Sequence, residues 1–425
     1  MRRSLLAVAV LTAALAGCSR EATAPSSADP AVAAAAQAYA DAVNAGFAAI
    51  SARYLDEVMR LSPISATQIG DHRFDAEVDD LSAAGREAGL EFNRRYLTEL
   101  DAIDFAALSR ENRVDALILK NTLEYGIWDT ETLQSWAWDP QIYSGLAGGA
   151  IYNLMAREFA PLPERLTSAT ARMEKIPAIL AQARENLDPA RVPPTHARTV
   201  AAQNKGVLAL IETFITPNAD QLQGEDRTRL DAAVEGLRKA VDEHQAWLDG
   251  TLVPNAKGEF RIGAETYDRK LKFALNSSLS RQDIRQRAEA ELARIRDEMY
   301  VVAQAVLKDR DGAPETPAQP SDDQRQAAIE AAMEVAYADK PARDEVVDFA
   351  RHTLDVATDF VRRHDLVTVP DDPVKIILMP EFQRGVAVAY CDSPGPLDKG
   401  LDTYYAISPI PDDWNDAQVD SFLRE

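Results

Sequence analysis

Apolar residues recur at three- and four-residue spacing through most of the first 365 positions, a period that is satisfied when successive helices each turn one face to a core. Phe47, Ile50, Tyr54, Val58 and Leu61 form the first stripe. Ser62-Pro63 ends it, because the residue before a proline avoids helical backbone angles. Further stripes follow at Leu90, Tyr96, Leu97, Leu100 and Ile103, at Val114, Leu117 and Ile118 with Leu123 beyond, and at Leu166, Met173, Ile176 and Leu180. A long one runs Leu230, Val234, Leu237, Val241, His244, Leu248, and another Ile284, Leu292, Ile295, Met299, Ala303, Val306. Val346, Phe349, His352, Val356 and Phe360 close the series. The 23 prolines exclude a continuous coiled coil, and Pro314, Pro317 and Pro320 mark residues 309–323 as a surface loop. No fixed-period repeat points to a solenoid.

Beyond Pro370 the pattern changes. Residues 374–379, 386–390 and 404–407 are short β-favouring runs, separated by turns that carry Gly385, Pro394-Gly395-Pro396 and Gly400. The expected fold is therefore mainly α: a large helical domain with a small antiparallel β ribbon near the C-terminus. Asn415 is placed to cap a last helix whose apolar face begins with Val419, Phe422 and Leu423. That helix reaches Glu425 without a stop signal and reads as interrupted.

The N-terminus decides the compartment. Arg2 and Arg3 precede the apolar run Leu5–Ala14, too short to span a bilayer, and Leu15-Ala16-Gly17-Cys18 supplies a lipoprotein processing site. The expectation is cleavage before Cys18 and acylation of that residue. Several acyl chains on one cysteine give stable anchoring in a bilayer. Ser19 rather than Asp after the cysteine favours the outer membrane, with the protein facing the periplasm. The chain then divides into a signal peptide at 1–17, a lipidated tether at 18–30, a helical body at 31–365, and the ribbon with the start of a helix at 366–425. Cys391 is the remaining thiol and is expected to be a buried structural one, with no disulfide partner.

A formal charge of −22 excludes a nucleic-acid binder that works by neutralising phosphates. The five histidines, at 72, 196, 244, 352 and 364, fall in no metal-ligand spacing, so no metal or other cofactor is expected within these residues. No Gly-x-Ser-x-Gly elbow is present, and Ser144–Gly149 reads as a close-packing loop flanked by Asp139 and Glu158. The composition leaves oligomeric state open.

Several segments together resemble the bacterial family known as domain of unknown function 885. They are Ser62-Pro63-Ile64-Ser65-Ala66-Thr67 with Gly70–Asp75, Gly263-Ala264-Glu265-Thr266-Tyr267, Met379-Pro380-Glu381, Ala389-Tyr390, and the stretch from Pro394 to Tyr405. The resemblance implies a secreted or lipid-anchored, mostly helical protein similar to the helical zinc peptidases. It also implies a His-Glu-x-x-Pro-Gly-His-type zinc segment, followed by a further ligating Glu, that lies past Glu425. On that reading full-length members use zinc, and this 425-residue chain is expected to lack peptidase activity. Met379, Glu381, Arg384 and Tyr390 are the candidates for holding a peptide strand, and Tyr404 or Tyr405 for an oxyanion donor. The alternative is a non-catalytic helical binding or scaffold lipoprotein of the periplasm.

Overall fold

The computed structural model describes residues 30–424. Cys18 and the rest of the signal lie outside them.

Three long helices build the first layer, with one short helix after the first of them. α1 (Pro30–Leu61) stops at Ser62, and Pro63 opens the short α2 (Pro63–Gln68), where its missing N–H is no loss. α3 (Ala83–Asp101) and α4 (Arg110–Trp128) begin at Ser82 and Ser109, whose hydroxyls accept from Gly85 N and Asn112 N. Phe47, Phe92, Tyr96, Leu100, Ala116, Leu119 and Leu123 bury between them. The rings of Tyr54, Phe92 and Tyr96 meet in pairs 4.8–5.5 Å apart. The stripe read at Val114, Leu117 and Ile118 is instead the exposed side of α4, each residue 48–54% open, while Ala116 faces inward. The buried face of α4 is made by Ala116, Leu119 and Leu123, so of the residues in that stripe only Leu123 turns inward.

The main core lies in the second layer. α5 (Gln141–Met155) packs on α6 (Leu162–Asn186), with α7 (Pro194–Gln203) and α8 (Gly206–Leu210) beside them, and α9 (Gly224–Trp247) lies along α6. Ile151, Leu154, Leu166, Met173, Ile176, Leu180, Leu237 and Val241 are almost fully enclosed there. Each such side chain stabilises by roughly 1.5–3 kcal/mol. Ser144–Gly149, expected as a loop, lies inside α5. Gly148 within it gives way to the Phe382 ring, which lies where a β-carbon would stand.

A turn, α10 (Val253–Asn255), leads to α11 (Ala264–Leu275) and to the hairpin of α12 (Arg281–Leu307) and α13 (Asp322–Tyr337). Ser280 with Asp283, and Ser321 with Gln324, form reciprocal capping boxes at the starts of α12 and α13. The proline-bearing segment at 309–321 joins those two helices, as expected. On α12 it is Tyr300, Ala303 and Leu307 that bury, while Leu292 and Met299 stay exposed.

α14 (Val346–His364) precedes three strands, β1 (Val374–Leu378), β2 (Ala389–Asp392) and β3 (Thr403–Ile407), and α15 (Asp416–Arg424) follows. Asn415 caps α15 as expected: its Oδ1 accepts from Gln418 N at 3.0 Å, and Gln418 Oε1 accepts from Asn415 N. The sheet order is β1-β3-β2. β2 pairs antiparallel with β3 as the ribbon reading requires, but β1 runs parallel to β3. Local turn residues predict neighbours in sequence, whereas here the last strand inserts between the first two. Val374, Ile376, Tyr405, Ile407, Ala389 and Cys391 face α14 and α15 across an apolar groove. Cys391 is exposed, which corrects the expected buried thiol: it lies on an edge strand, on the face away from the helical body.

Candidate functional site: the cleft between the helical body and the sheet

The sheet turns its other face to the ends of α5 and α6. Register places Lys375, Tyr404 and Asp392 side by side in one row of that face. A cleft of about 600 Å³ opens beside this row, lined among others by Arg157, Glu158, Phe214, Lys375, Asp402 and Tyr404.

Arg157, just past the C-terminus of α5, ties the row to the body. Its Nη2 lies 3.0 Å from Asp392 Oδ1 and donates to the Asp392 carbonyl at 2.6 Å, and its Nε donates to the Asp402 carbonyl at 3.0 Å. The guanidinium also lies 4.7 Å from the centre of the Tyr404 ring. Tyr152 from α5 donates its hydroxyl to Asp392 Oδ2 at 2.8 Å. Burial, reinforced by the Asp392 charge, pushes the phenols of Tyr152 and Tyr390 well above the ordinary tyrosine range. Both are therefore neutral donors at any physiological pH. Lys375 pairs with Asp402 at the rim.

The candidate strand residues come together, but as a plug seated in the body. Met379 is fully buried, and its N–H donates to Ile407 O at 2.8 Å. Glu381 opens a single 3₁₀ turn, Glu381–Gln383, that presses Phe382 against α5 and α8. Arg384 Nε donates to Met379 O at 2.9 Å, and its carbonyl accepts from Gln203 Nε2 at 2.7 Å. Tyr390 hydrogen-bonds Gln383. Tyr404 and Tyr405 project to opposite faces of the sheet. The Tyr404 hydroxyl donates to the Ala156 carbonyl at 3.0 Å, and Tyr405 lies in the groove under α14.

The segment Ser62–Asp75 is a knot around one buried cation. Arg172 of α6 is 0% exposed and donates to the carbonyls of Pro63, Glu77 and Ala150 and to Thr67 Oγ1. Burial lowers its pKa to about 10, so it remains charged. Thr67 in turn donates to Asp75 at 2.6 Å. Gly263 sits at φ +83° and opens α11, leaving Tyr267 exposed.

Arg157, Tyr152 and Asp392 were missed by sequence reasoning. Asp392 lies 235 residues from Arg157 and 240 from Tyr152 across the interface, and the only local cue was a charged residue directly after an apolar helix.

The five histidines sit in separate surroundings: His72 between carboxylates, His196 beside Trp138, His244 beside Arg184 and Trp247, His364 beside Phe360, and His352 exposed on α14. Among the described residues no three of His, Cys, Asp or Glu form a group suited to a metal. The described residues do not fit the zinc that the resemblance implies.

The family described as bacterial protein of unknown function, domain of unknown function 885, has a sequence model that matches residues 63–423. The chain belongs to this family. A solved structure of a predicted lipoprotein of unknown function from Shewanella oneidensis is 28% identical, with a TM-score of 0.66 over 89% of this chain and 67% of that one. A second predicted lipoprotein, from Colwellia psychrerythraea, is 13% identical, with a TM-score of 0.56 over 90% of this chain and 69% of that one, a likeness of fold alone. No curated protein matches the chain. Of the stretches that carry the resemblance, Ser62–Asp75 forms the Arg172 knot, Met379–Glu381, Ala389-Tyr390 and Pro394–Tyr405 belong to the sheet and its seams, and Gly263–Tyr267 lies apart at the start of α11.

Proposed function

We propose that this chain is a lipid-anchored envelope protein whose cleft between the α5–α6 ends and the sheet holds an extended peptide. Anchoring rests on the Cys18 processing site and on the lipoprotein description of both structural relatives. Ser19 favours the outer membrane as the destination. No helix among the described residues is long and apolar enough to cross a membrane.

The observation that carries the peptide reading is the position of β1. It pairs with β3 on one side, stands at the sheet edge on the other, and sends Lys375 into the cleft wall. An edge strand offers a ladder of backbone donors and acceptors to an added strand, and a cleft alongside receives its side chains. Both signs of charge line the cleft, with Arg157 and Lys375 alongside Glu158 and Asp402, which suits a peptide with mixed side chains.

Hydrolysis of amides is what the family resemblance adds. The described residues supply binding and orientation, so the purified chain is expected to bind peptides without cleaving them. Fluorescence anisotropy with labelled unstructured decapeptides tests the reading. Binding that weakens when alternate backbone amides are N-methylated supports strand addition, whereas equal binding of methylated and unmethylated peptides overturns it. Cleavage products seen by mass spectrometry would overturn the binding-only part.

A further inference from the structure

The register of the sheet sets which backbone groups of β1 stay open. Met379 N donates to Ile407 O, and Ser408 N donates to Val388 O, each at 2.8 Å. The N–H and C=O of one residue point to the same side of a strand, and that side alternates along it. With β1 in register from Val374↔Thr403 to Leu378↔Ile407, Lys375 and Ile377 therefore bond to β3. The backbone groups of Val374, Ile376 and Leu378 point the other way, to the open edge of the sheet.

The same three residues turn their side chains away from the helical body. Val374 and Ile376 line the groove of about 610 Å³ beside α14 and α15, and Leu378 shares their face. Val374 and Leu378 remain 38% and 54% exposed. Across the groove α14 presents Val346, Phe349, Ala350 and Leu354, yet none of its residues is buried. Lys375 projects to the opposite face, into the cleft. The open edge of β1 thus borders an apolar groove on one face and a charged cleft on the other.

We propose that this edge selects an extended peptide whose residues alternate apolar and polar, the apolar ones seated in the groove and the polar ones in the cleft. The selection rests on strand addition at the cleft and adds a rule for the sequence of the strand. Residues paired across a ladder project to the same face, whichever way the added strand runs. A ligand residue opposite Val374, Ile376 or Leu378 therefore enters the apolar groove, and one opposite Lys375 enters the cleft. In the cleft wall Arg157 is already paired with Asp392 and Lys375 with Asp402, so the polar positions tolerate varied side chains and selection falls to the groove. Because the groove is continuous with an open backbone edge, its occupant is a strand that satisfies both.

Fluorescence anisotropy of the full chain with two labelled decapeptides of one composition tests this. One peptide alternates valine with serine, and the other orders the same residues mostly in pairs. Seating one more apolar side chain is worth about tenfold in affinity, so the alternating peptide should bind at least about tenfold tighter. Val374→Lys combined with Leu378→Lys, both at solvent-exposed positions, should abolish that preference. N-methylation of the alternating peptide at its valines only, or at its serines only, should abolish binding in one case and spare it in the other, since only alternate amides face β1. Equal binding of the two peptides, a preference that survives the double variant, or equal loss from both methylations would each overturn the proposal. Equal binding of the two peptides that methylation still weakens would overturn the sequence rule and leave strand addition standing, whereas no binding of either peptide would overturn both. Sedimentation of the peptide-free chain should show a monomer. A dimer broken by the double variant would give the edge to a second copy of the chain and overturn the proposal.

Discussion

The ring of Phe382 fills the space that a β-carbon on Gly148 would occupy, since an ideal Cβ there would lie 2.1 Å from the ring's Cδ2. A glycine inside a helix costs up to about 1 kcal/mol relative to alanine, and here that cost is offset by the close seating of Phe382 on α5. On the neighbouring α8, Gly206 makes the same allowance, with a Cβ placed 2.4 Å from Phe382 N.

Gly148→Ala should therefore destabilise the chain by about 1–3 kcal/mol through overpacking, although alanine is the better helix former. Phe382→Ala should cost about 3–5 kcal/mol by leaving a cavity. Urea unfolding measures both, and exchange in β1–β3 should rise in each variant. A stabilised Gly148→Ala would show that the ring can move aside.

Asp392→Ala removes the carboxylate that Arg157 and Tyr152 both address. Arg157 and Asp392 are only 12% and 14% exposed, so leaving the arginine unpaired should cost about 3–5 kcal/mol. Lys375→Ala breaks the rim pair with Asp402, which is open to solvent, and should leave the denaturation midpoint unchanged within error.

His244 predicts an acid-sensitive core. Burial, and then the nearby Arg184, lower its pKa from 6.5 to about 4. Because the folded-state value is below the unfolded one, the histidine's contribution is full above pH 6.5 and is lost as pH falls through about 4, a loss of roughly 3 kcal/mol in all. Thermal unfolding from pH 8 to 4 should show the decline, and His244→Phe should flatten it.

Arg172→Met should be the most damaging single change in the body. It strands the carbonyls of Pro63, Glu77 and Ala150 without their donor, at about 1–3 kcal/mol for each buried group. Arg172→Lys keeps the charge without the planar fork and should recover only part of the loss in circular dichroism melts.

The helical body was legible because its signal is periodic and local. His244 and Leu237 bury where the stripe places them, and Asn415 caps the helix it was expected to cap. On α4 the reading was split: Leu123 buries, but Val114, Leu117 and Ile118 face outward while Ala116 and Leu119 turn inward. Cys391 and the parallel β1–β3 pairing escaped for another reason: strand order depends on which segments meet in space, and three short runs with turns between them are equally compatible with a meander. The cleft was less legible still. Met379, Glu381 and Arg384, read as candidates for holding a peptide strand, lie where the sheet is seated on the body, and Arg157, which binds the assembly, has no cue beyond its place after an apolar helix.

The strand that comes last in the chain, β3, is the middle of the sheet. Neither β1 nor β2 has a partner until residues 403–407 arrive, so the sheet has no half-built form to wait in. A chain emerging in order would complete the helical layers first, and these would then serve as the template on which all three strands assemble at once. Such non-local pairing is slow compared with helix packing. In that interval Val374–Leu378 is an unpaired apolar strand, which makes it the segment of this protein most in need of a chaperone.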